Sequence, residues 1–289
     1  MSWNPGLYLR HAQPRLRPAI DLLSHTAASV RTPEHVSRVF DIGCGPGNIT
    51  PYICKTFPFA RVDGVDSSAS MLEKAKASVL PEYKERVTYV DGDIENVCRN
   101  PVGPYDVVYS NSAFHWIADQ RILRDALTNA VRPDGGLLAV QMPDTRVQPS
   151  HTLMVEAAEK CGFSKLLVDV RIPRVEHGFD YYHSLLQPLC GSIEMWSTEY
   201  VHELEYSNRS KHPVLEFTSA TGLQPILAAL SASAGGQECV TEFLDMYNQL
   251  LHEAYPPIST SHSEAEGSTS CTRTVLFPFK RFFLVASRL

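Results

Sequence analysis

The chain has no pair of cysteines at the two-residue spacing of a zinc or redox site, and its seven cysteines are odd in number. A closed disulfide framework is therefore not expected, and free thiols in a reducing, cytoplasmic setting are. No apolar run reaches the length of a membrane span, and no hydrophobic stretch follows basic residues as in a signal peptide. Positive charge is also scarce. A formal net charge of −6 and a pI of about 6.0 argue against a general nucleic-acid binder. No His/Cys/Asp cluster has ligand spacing, so no metal is expected, and no internal repeat is visible. What is present is 289 residues with an apolar fraction of 44%. That suffices for one large α/β domain, or for a core with a smaller cap. The expectation is a monomer or weak homo-oligomer working on a small molecule, without nucleic acid or membrane.

The chain is organised around Val39 to Asn48. Arg38 to Ile42 reads as a short buried strand, and Gly43, Gly45 and Gly47 then force a tight turn that a ligand can approach closely. Asn48 to Phe57 continues as a helix. Strand, glycine loop and helix together form the entrance to a nucleotide-like cofactor site in a doubly wound α/β fold. The spacing discriminates among cofactors. A dinucleotide loop reads G-x-G-x-x-G, whereas here the pattern is D-x-G-x-G-x-G, with Asn48 at the third dinucleotide position. Asp41 would repel a pyrophosphate but suits S-adenosylmethionine, which carries an ammonium and a sulfonium. Asp41-Ile42-Gly43-Cys44-Gly45-Pro46-Gly47 resembles motif I of the class I methyltransferases. That resemblance implies cofactor contacts at Asp41, Gly43, Cys44, Gly45 and Asn48. Cys44, among small neighbours, reads as a packing residue.

Further along, Arg61 to Asp66 reads as a second strand. Asp66 ends it roughly twenty residues past the last glycine, where a carboxylate meets the two ribose hydroxyls. An N-cap reading competes, but Ser67 or Ser68 can cap the following helix and leave Asp66 for the ribose. Met71 in that helix either faces the adenine or belongs to the core. Arg86 to Asp91 is a third strand. Gly92-Asp93-Ile94-Glu95 after it resembles the adenine motif, with Asp93 taking the amino group and the Ile94 backbone reading the ring. The fourth strand, Tyr105 to Ser110, leads into Asn111-Ser112-Ala113-Phe114-His115-Trp116, where the transferable methyl should point. Ile122 to Ala130 has helical spacing, and Leu137 to Met142 is a fifth strand.

The second half is less regular. Thr152 to Cys161 and Tyr181 to Leu189 read as helices, Ile193 to Leu204 as a strand, and Pro213 to Tyr255 as a helical insertion. Ser259 to Thr272, rich in Ser, Thr and Glu, reads as a disordered loop. Val275 to Ala286 closes the chain as a strand, with Lys280 and Arg281 exposed near its middle. The expected fold is α/β, a doubly wound, mostly parallel, seven-stranded Rossmann-like sheet with a helical cap. The expected divisions are an N-terminal arm over 1–30, a cofactor-binding core over 31–145, a cap with helical insertions and one core strand over 146–272, and a final strand over 273–289. Ser287-Arg288-Leu289 is close to a peroxisomal address, and it equally suits a strand that happens to end so.

Segments outside the cofactor site narrow the resemblance. Ser2-Trp3-Asn4-Pro5-x-Leu7-Tyr8-Leu9, Arg15-x-Arg17-Pro18, Ala139-Val140-Gln141-Met142-Pro143-Asp144, Ala220-Thr221-Gly222-Leu223 and the helix ending Tyr255-Pro256 resemble the trans-aconitate methyltransferases. Members of that family esterify one carboxylate of trans-aconitate with the methyl of S-adenosylmethionine. Three residues depart from the family pattern: His115 for glutamine, Phe217 for tryptophan and Gln224 for arginine. The chemistry needs no general base, because a carboxylate of pKa near ~4 is already ionised at neutral pH. It needs cations for the spectator carboxylates and an uncharged slot for the reacting one. Arg15, Arg17, Lys280 and Arg281 are the candidate cations, with Tyr8, His115 and Trp116 as candidate walls of the slot. Another small acid or a phenol as acceptor, or a binding module that keeps the cofactor site without catalysis, stay open at this point.

Overall fold

The computed structural model describes residues 12–30, 32–206, 211–263 and 269–289, with backbone alone at 12–15, 259–263 and 269–272. Helix α1 (Ala12–Ser29) leads into β1 (Arg38–Ile42), α2 (Thr50–Thr56), β2 (Arg61–Asp66), α3 (Ala69–Ser78), β3 (Val87–Asp91) and α4 (Ile94–Arg99). β4 (Val107–Asn111), α5 (Ile122–Asp125) and β5 (Leu137–Pro143) follow. The helix expected over Ile122 to Ala130 is α-helical only at its start and finishes as a π turn, Ala126–Ala130. The second half contains α6 (Pro149–Lys160), α7 (Phe179–Leu186), β6 (Cys190–Glu205), α8 (Pro213–Ser219), α9 (Gln224–Ala232), α10 (Gly236–Ala254), β7 (Ile258–Ser263) and β8 (Thr269–Arg288).

The sheet order is β3-β2-β1-β4-β5-β8-β6, and the first five strands are parallel. β8 runs antiparallel to β5, from Leu137 opposite Ser287 to Pro143 opposite Arg281. This is the expected doubly wound, mostly parallel sheet of seven strands. β7 adds an eighth off this path, antiparallel to β8. The order reverses at β1, whose neighbours are β2 and β4, and ligands of open α/β sheets bind at the carboxyl ends beside such a switch point. The central strands β1, β4 and β5 are buried runs, as a parallel sheet covered on both faces requires, while β3 at the edge buries only Tyr89. All seven residues of β5 are buried, Gln141 among them. α1 lies on this sheet through Leu22 and Leu23, and the Tyr109 hydroxyl donates to the Ala19 carbonyl at 2.7 Å.

The chain forms two compact units. The first comprises Met1–Pro143, Arg174–Thr198 and Arg281–Leu289; the second, Asp144–Pro173 and Glu199–Lys280. The first unit's core lies between strands and helices, with Ile42, Val108, Phe114, Leu127, Leu138, Tyr182 and Phe282 at its centre. The second packs α6, α8, α9 and α10 around Phe243, Tyr247, Phe277 and Phe279.

Three expectations for the second half are corrected. Ser259 to Ser263 and Thr269 to Thr272 pair as the tip of the β7–β8 hairpin rather than forming a loop; residues 264–268 of that stretch lie outside the described residues. Arg281, expected to be exposed, is 4% accessible. The expected single helical insertion is three helices, broken after Ser219 and Ala232. Arg288 lies in β8, its N–H donating to the Gly136 carbonyl at 2.9 Å, and Leu289 N–H donates to the Leu189 carbonyl. The strand reading accounts for these residues, and nothing supports the peroxisomal one.

Buried His212 caps α8 within the second unit. Its Nδ1 accepts from Val214 N–H at 3.2 Å, so the proton sits on Nε2 and donates to the Tyr255 carbonyl at 3.0 Å. Burial, first, pulls its pKa down to about 4. Its contribution to stability is therefore complete above the unfolded value near 6.5 and is lost as pH falls through about 4. His212→Ala removes the cap and strands the Tyr255 carbonyl, with an expected cost of about 1–3 kcal/mol. Chemical denaturation at neutral pH measures this, and a loss well below ~1 kcal/mol would remove His212 as the cap that holds α8.

Candidate active site

The loop after β1 takes its shape from three positive φ values: 73° at Gly43, 54° at Gly45 and 73° at Gly47. Gly43 and Cys44 N–H groups both donate to the Val65 carbonyl, so the turn is stitched to the end of β2. A Cβ on Gly43 would lie 2.2 Å from the Ala113 Cβ, and one on Gly47 2.5 Å from the Tyr89 hydroxyl oxygen. At Gly45 nothing lies within 4 Å. Two glycines thus serve close packing, and the middle one faces open space at the switch point. Cys44 is buried and its thiol is held protonated, by burial first and then by Asp41. It packs with Leu72, Ala75 and Tyr89, as expected. Asn48, half-buried, precedes α2.

Three carboxylates surround this loop. Asp41 is 1% accessible, and its Oδ2 is buried without a hydrogen-bond partner. Burial, and after it the nearby Asp66 charge, lifts its pKa to about 7. Asp66 Oδ2 accepts from Gly45 N–H and Oδ1 from Ser68 N–H, both at 2.9 Å. Burial raises its pKa, and the Ser68 and Gly45 N–H bonds oppose the rise. Each oxygen keeps a further lone pair for a hydroxyl donor. Ser68 rather than Asp66 caps α3, accepting from Met71 N–H, while Ser67 is exposed and Met71 buried. Asp93 is first of all the N-cap of α4, accepting from Asn96 N–H at 2.8 Å, with Ile94 the first residue of that helix. Its Oδ2 remains for a ligand. An unpaired acceptor at Asp41, a diol acceptor at Asp66 and open space over Gly45 fit a cofactor with a cationic amino-acid end and a ribose.

The second half of the site lies at the ends of β4, β5 and β8. Ser112 is left-handed at φ 56°, uncommon for a residue with a side chain. Its N–H donates to the Gln141 carbonyl at 2.9 Å, and its hydroxyl donates to Gln141 Oε1 at 2.9 Å. Arg281 Nη1 in turn donates to Ser112 Oγ at 3.4 Å. Asn111 and Gln141 are opposite in register, and Asn111 Oδ1 and Gln141 Nε2 are both buried without hydrogen-bond partners. His115, buried, and half-buried Trp116 follow on a 3-10 turn, their rings 5.4 Å apart. Asp41 Oδ2, Asn111 Oδ1 and Gln141 Nε2 thus lie toward the carboxyl ends of parallel strands, where ligands of this architecture sit.

Not every expected residue is brought here. Tyr8 lies outside the described residues, as does the Arg15 side chain. Arg17 is largely exposed on α1, its Nε donating to Asp21 at 2.8 and 3.0 Å. Lys280, in the second unit, is 3.8 Å from Asp144, which also pairs with Arg146 at 2.9 Å. Successive strand residues face opposite sides, so Lys280 and Arg281 do not act as a pair. Gln141 was not expected. Its signal was available: one amide within the otherwise apolar run of a central strand.

A cavity of about 910 Å³ in the first unit lies instead at the amino ends of the parallel strands, beside Asp106, Arg132, His25 and Arg288. Its charged groups at Asp106, Arg132, His25 and Glu194 are already paired. Asp106 accepts from Ser37 and Arg38 N–H and pairs with Arg132, and His25 pairs with Glu194. It leaves no buried polar atom waiting for a ligand, which distinguishes it from the glycine-loop end.

A family profile for a methyltransferase domain matches residues 40–137, the stretch carrying the glycine loop, Asp66, Asp93 and Asn111. Among solved structures, the YcgJ protein of Bacillus subtilis is 14% identical, with a TM-score of 0.50 over 93% of this chain and 98% of its own. A putative sarcosine dimethylglycine methyltransferase from Galdieria sulphuraria is 13% identical, with a TM-score of 0.50 over 98% and 91%. These likenesses speak for the fold alone. The trans-aconitate 2-methyltransferase of Streptomyces avermitilis is 35% identical over 99% of this chain and 97% of its own length. That of Escherichia coli K12 is 34% identical over 100% and 99%. A catalytic, S-adenosylmethionine-dependent methyltransferase accounts for the glycine loop and its carboxylates together. The chain belongs to the trans-aconitate 2-methyltransferase-like family of class I S-adenosylmethionine-dependent methyltransferases.

Proposed function

We propose that this enzyme methylates a carboxylate oxygen of a small polycarboxylic acid, trans-aconitate first. The observation that carries the reading is Arg281, a guanidinium buried within β8 opposite Pro143 at the carboxyl end of β5, and tied to Ser112 beside the unpaired polar groups of β4 and β5. A guanidinium fork matches a carboxylate bidentately, and a buried cation selects an anionic partner strongly. The names carried by the bacterial relatives point the same way.

S-adenosylmethionine, when bound, supplies an electrophilic methyl group on its sulfonium. The chain's own part is placement. Asp41 faces the cationic end of the cofactor, Asp66 holds the ribose hydroxyls, and Asp93 with the Ile94 backbone meets the adenine. Gly43, Cys44, Gly45, Asn48, Ser67, Met71, Asn111 and Ser112 shape the cofactor's surroundings. Arg281 holds a spectator carboxylate, while His115 and Trp116 wall the slot for the reacting one. Arg15, Arg17, Lys280 and Tyr8 are supporting candidates, with Arg17 and Lys280 already engaged by Asp21 and Asp144. The acceptor is ionised at neutral pH, so no residue has to remove a proton, and alignment with exclusion of water is the protein's contribution.

Transfer of labelled methyl to trans-aconitate, cis-aconitate, citrate, isocitrate, a fatty acid and a phenol tests the proposal. Strong preference for trans-aconitate supports it; preference for another small acid keeps the reaction and changes the acceptor. Transfer only to the phenol overturns the carboxylate assignment.

A further inference from the structure

Gln141 is the only residue of the first unit, among the described residues, whose side chain is a fully buried amide with one end bonded and the other unbonded. Its Oε1 accepts from the Ser112 hydroxyl, and its own carbonyl accepts from Ser112 N–H. Ser112 Oγ also accepts from Arg281. With the Ser112 hydroxyl donating to Oε1, Nε2 is left with two unmet N–H donors. A buried donor left unpaired is destabilising, and an apolar residue would fill an otherwise apolar strand without that penalty. A methyltransferase site that keeps such a group has a use for it when a ligand completes the site.

We propose that the Gln141 side-chain amide is a specificity-determining donor to a carboxylate oxygen of the acceptor, set in orientation by Ser112 and working beside Arg281. The inference rests on the carboxylate-methylation reading above and adds to it a second, uncharged recognition group. Arg281 supplies charge, and Gln141 supplies direction: an amide N–H held at a fixed angle donates to one carboxylate oxygen, an ionised acceptor that takes a stronger bond than a neutral hydroxyl oxygen does. Asn111, opposite in register, carries a free acceptor instead and is not suited to the same anion.

The ligand chemistry, a carboxylate, has two sources here, because the cofactor's amino-acid end carries one too. Gln141→Leu and the near-isosteric Gln141→Glu separate them in the full-length enzyme. In Gln141→Leu, the KM for the preferred acid of the panel should rise at least about tenfold, the loss of one hydrogen bond to a charged group. Cofactor Kd by calorimetry and the thermal midpoint should stay near those of the wild type. Gln141→Glu replaces the donors with a carboxylate and should raise acceptor KM further, since it repels an anion. A rise in cofactor Kd with unchanged acceptor KM would assign the amide to the cofactor and overturn the proposal. An unchanged acceptor KM in both variants would do the same, leaving the acceptor reading intact. Wild-type transfer to no carboxylate sinks that reading, and this inference with it. Should Gln141→Leu not fold, Gln141→Glu decides alone.

Discussion

Gly45→Ala is expected to fold at a cost of only the backbone strain, about 1–2 kcal/mol, and to lose cofactor affinity at least about tenfold, whereas Gly43→Ala fails in folding first. Both positions are left-handed, so both variants bear the backbone cost of about 1–2 kcal/mol for placing a Cβ there. Their surroundings differ. The new methyl of Gly43→Ala would sit 2.2 Å from the Ala113 Cβ, far inside the ~3.5–4.0 Å of ordinary carbon contact. Ala113 belongs to the segment that carries Ser112 and His115, so relief of that overlap moves both halves of the site at once. Overpacking of this kind adds about 1–3 kcal/mol, and the total is a large part of a typical domain's stability. The methyl of Gly45→Ala meets no protein atom within 4 Å and projects into the space a cofactor would occupy. Thermal midpoints and calorimetric Kd values on the two variants read this directly. Equal destabilisation, or undiminished affinity in Gly45→Ala, would remove the middle glycine from the site.

The contrast also marks how far the sequence alone could be read. Asp41, the three glycines and Asp66 announce themselves because a tight loop demands those residue types in one contiguous stretch. The central strands are legible for a related reason: burial on both faces leaves apolar runs such as Val107-Val108-Tyr109 and Leu137-Leu138-Ala139-Val140. Arg281 was not legible as a buried group. It lies in a strand whose partner comes from a distant part of the chain, so its burial is set by β8 lying beside β5 rather than by local pattern. The β7–β8 hairpin failed as an expectation for the same reason. Ser, Thr and His with no apolar period look like loop, yet backbone pairing with the extension of an apolar strand is enough to make them β. Asp93 illustrates a further ambiguity, since a turn carboxylate before a helix satisfies the capping rule whether or not it also meets a ligand.

Cofactor affinity should rise with pH up to about 7 and then level off, and Asp41→Asn should flatten that profile. The carboxyl group of Asp41 is buried, has an unbonded oxygen and lies near the Asp66 charge, and its pKa is lifted to about 7 in the cofactor-free protein. Because the folded value lies above the unfolded one of 3.8, the group favours folding most at low pH, and that contribution is lost as pH rises to about 7. A cation placed against it reverses the preference and favours the carboxylate. Binding therefore expels a proton from Asp41 at any pH where the group was protonated, and each unit below about 7 costs up to tenfold in apparent affinity. Asp66 titrates in the same direction, raised by its own burial, but its bonds from Gly45 and Ser68 N–H favour the charged form and keep its share smaller. The other ionisable groups that feel Asp41, the Cys44 thiol and the Tyr89 and Tyr109 phenols, are pushed far up by burial first and stay neutral throughout. Calorimetry from about pH 5.5 to about pH 8.5, in two buffers of different ionisation enthalpy, gives affinity and proton release together. S-adenosylhomocysteine, which lacks the sulfonium, should release fewer protons than S-adenosylmethionine if that charge faces Asp41. Asp41→Asn should bind more weakly at high pH and show neither proton release nor slope near 7. A wild-type profile that is already flat would mean that the unpaired oxygen of Asp41 does not face the cation, and would hand that role to another group at the ends of β1 and β4.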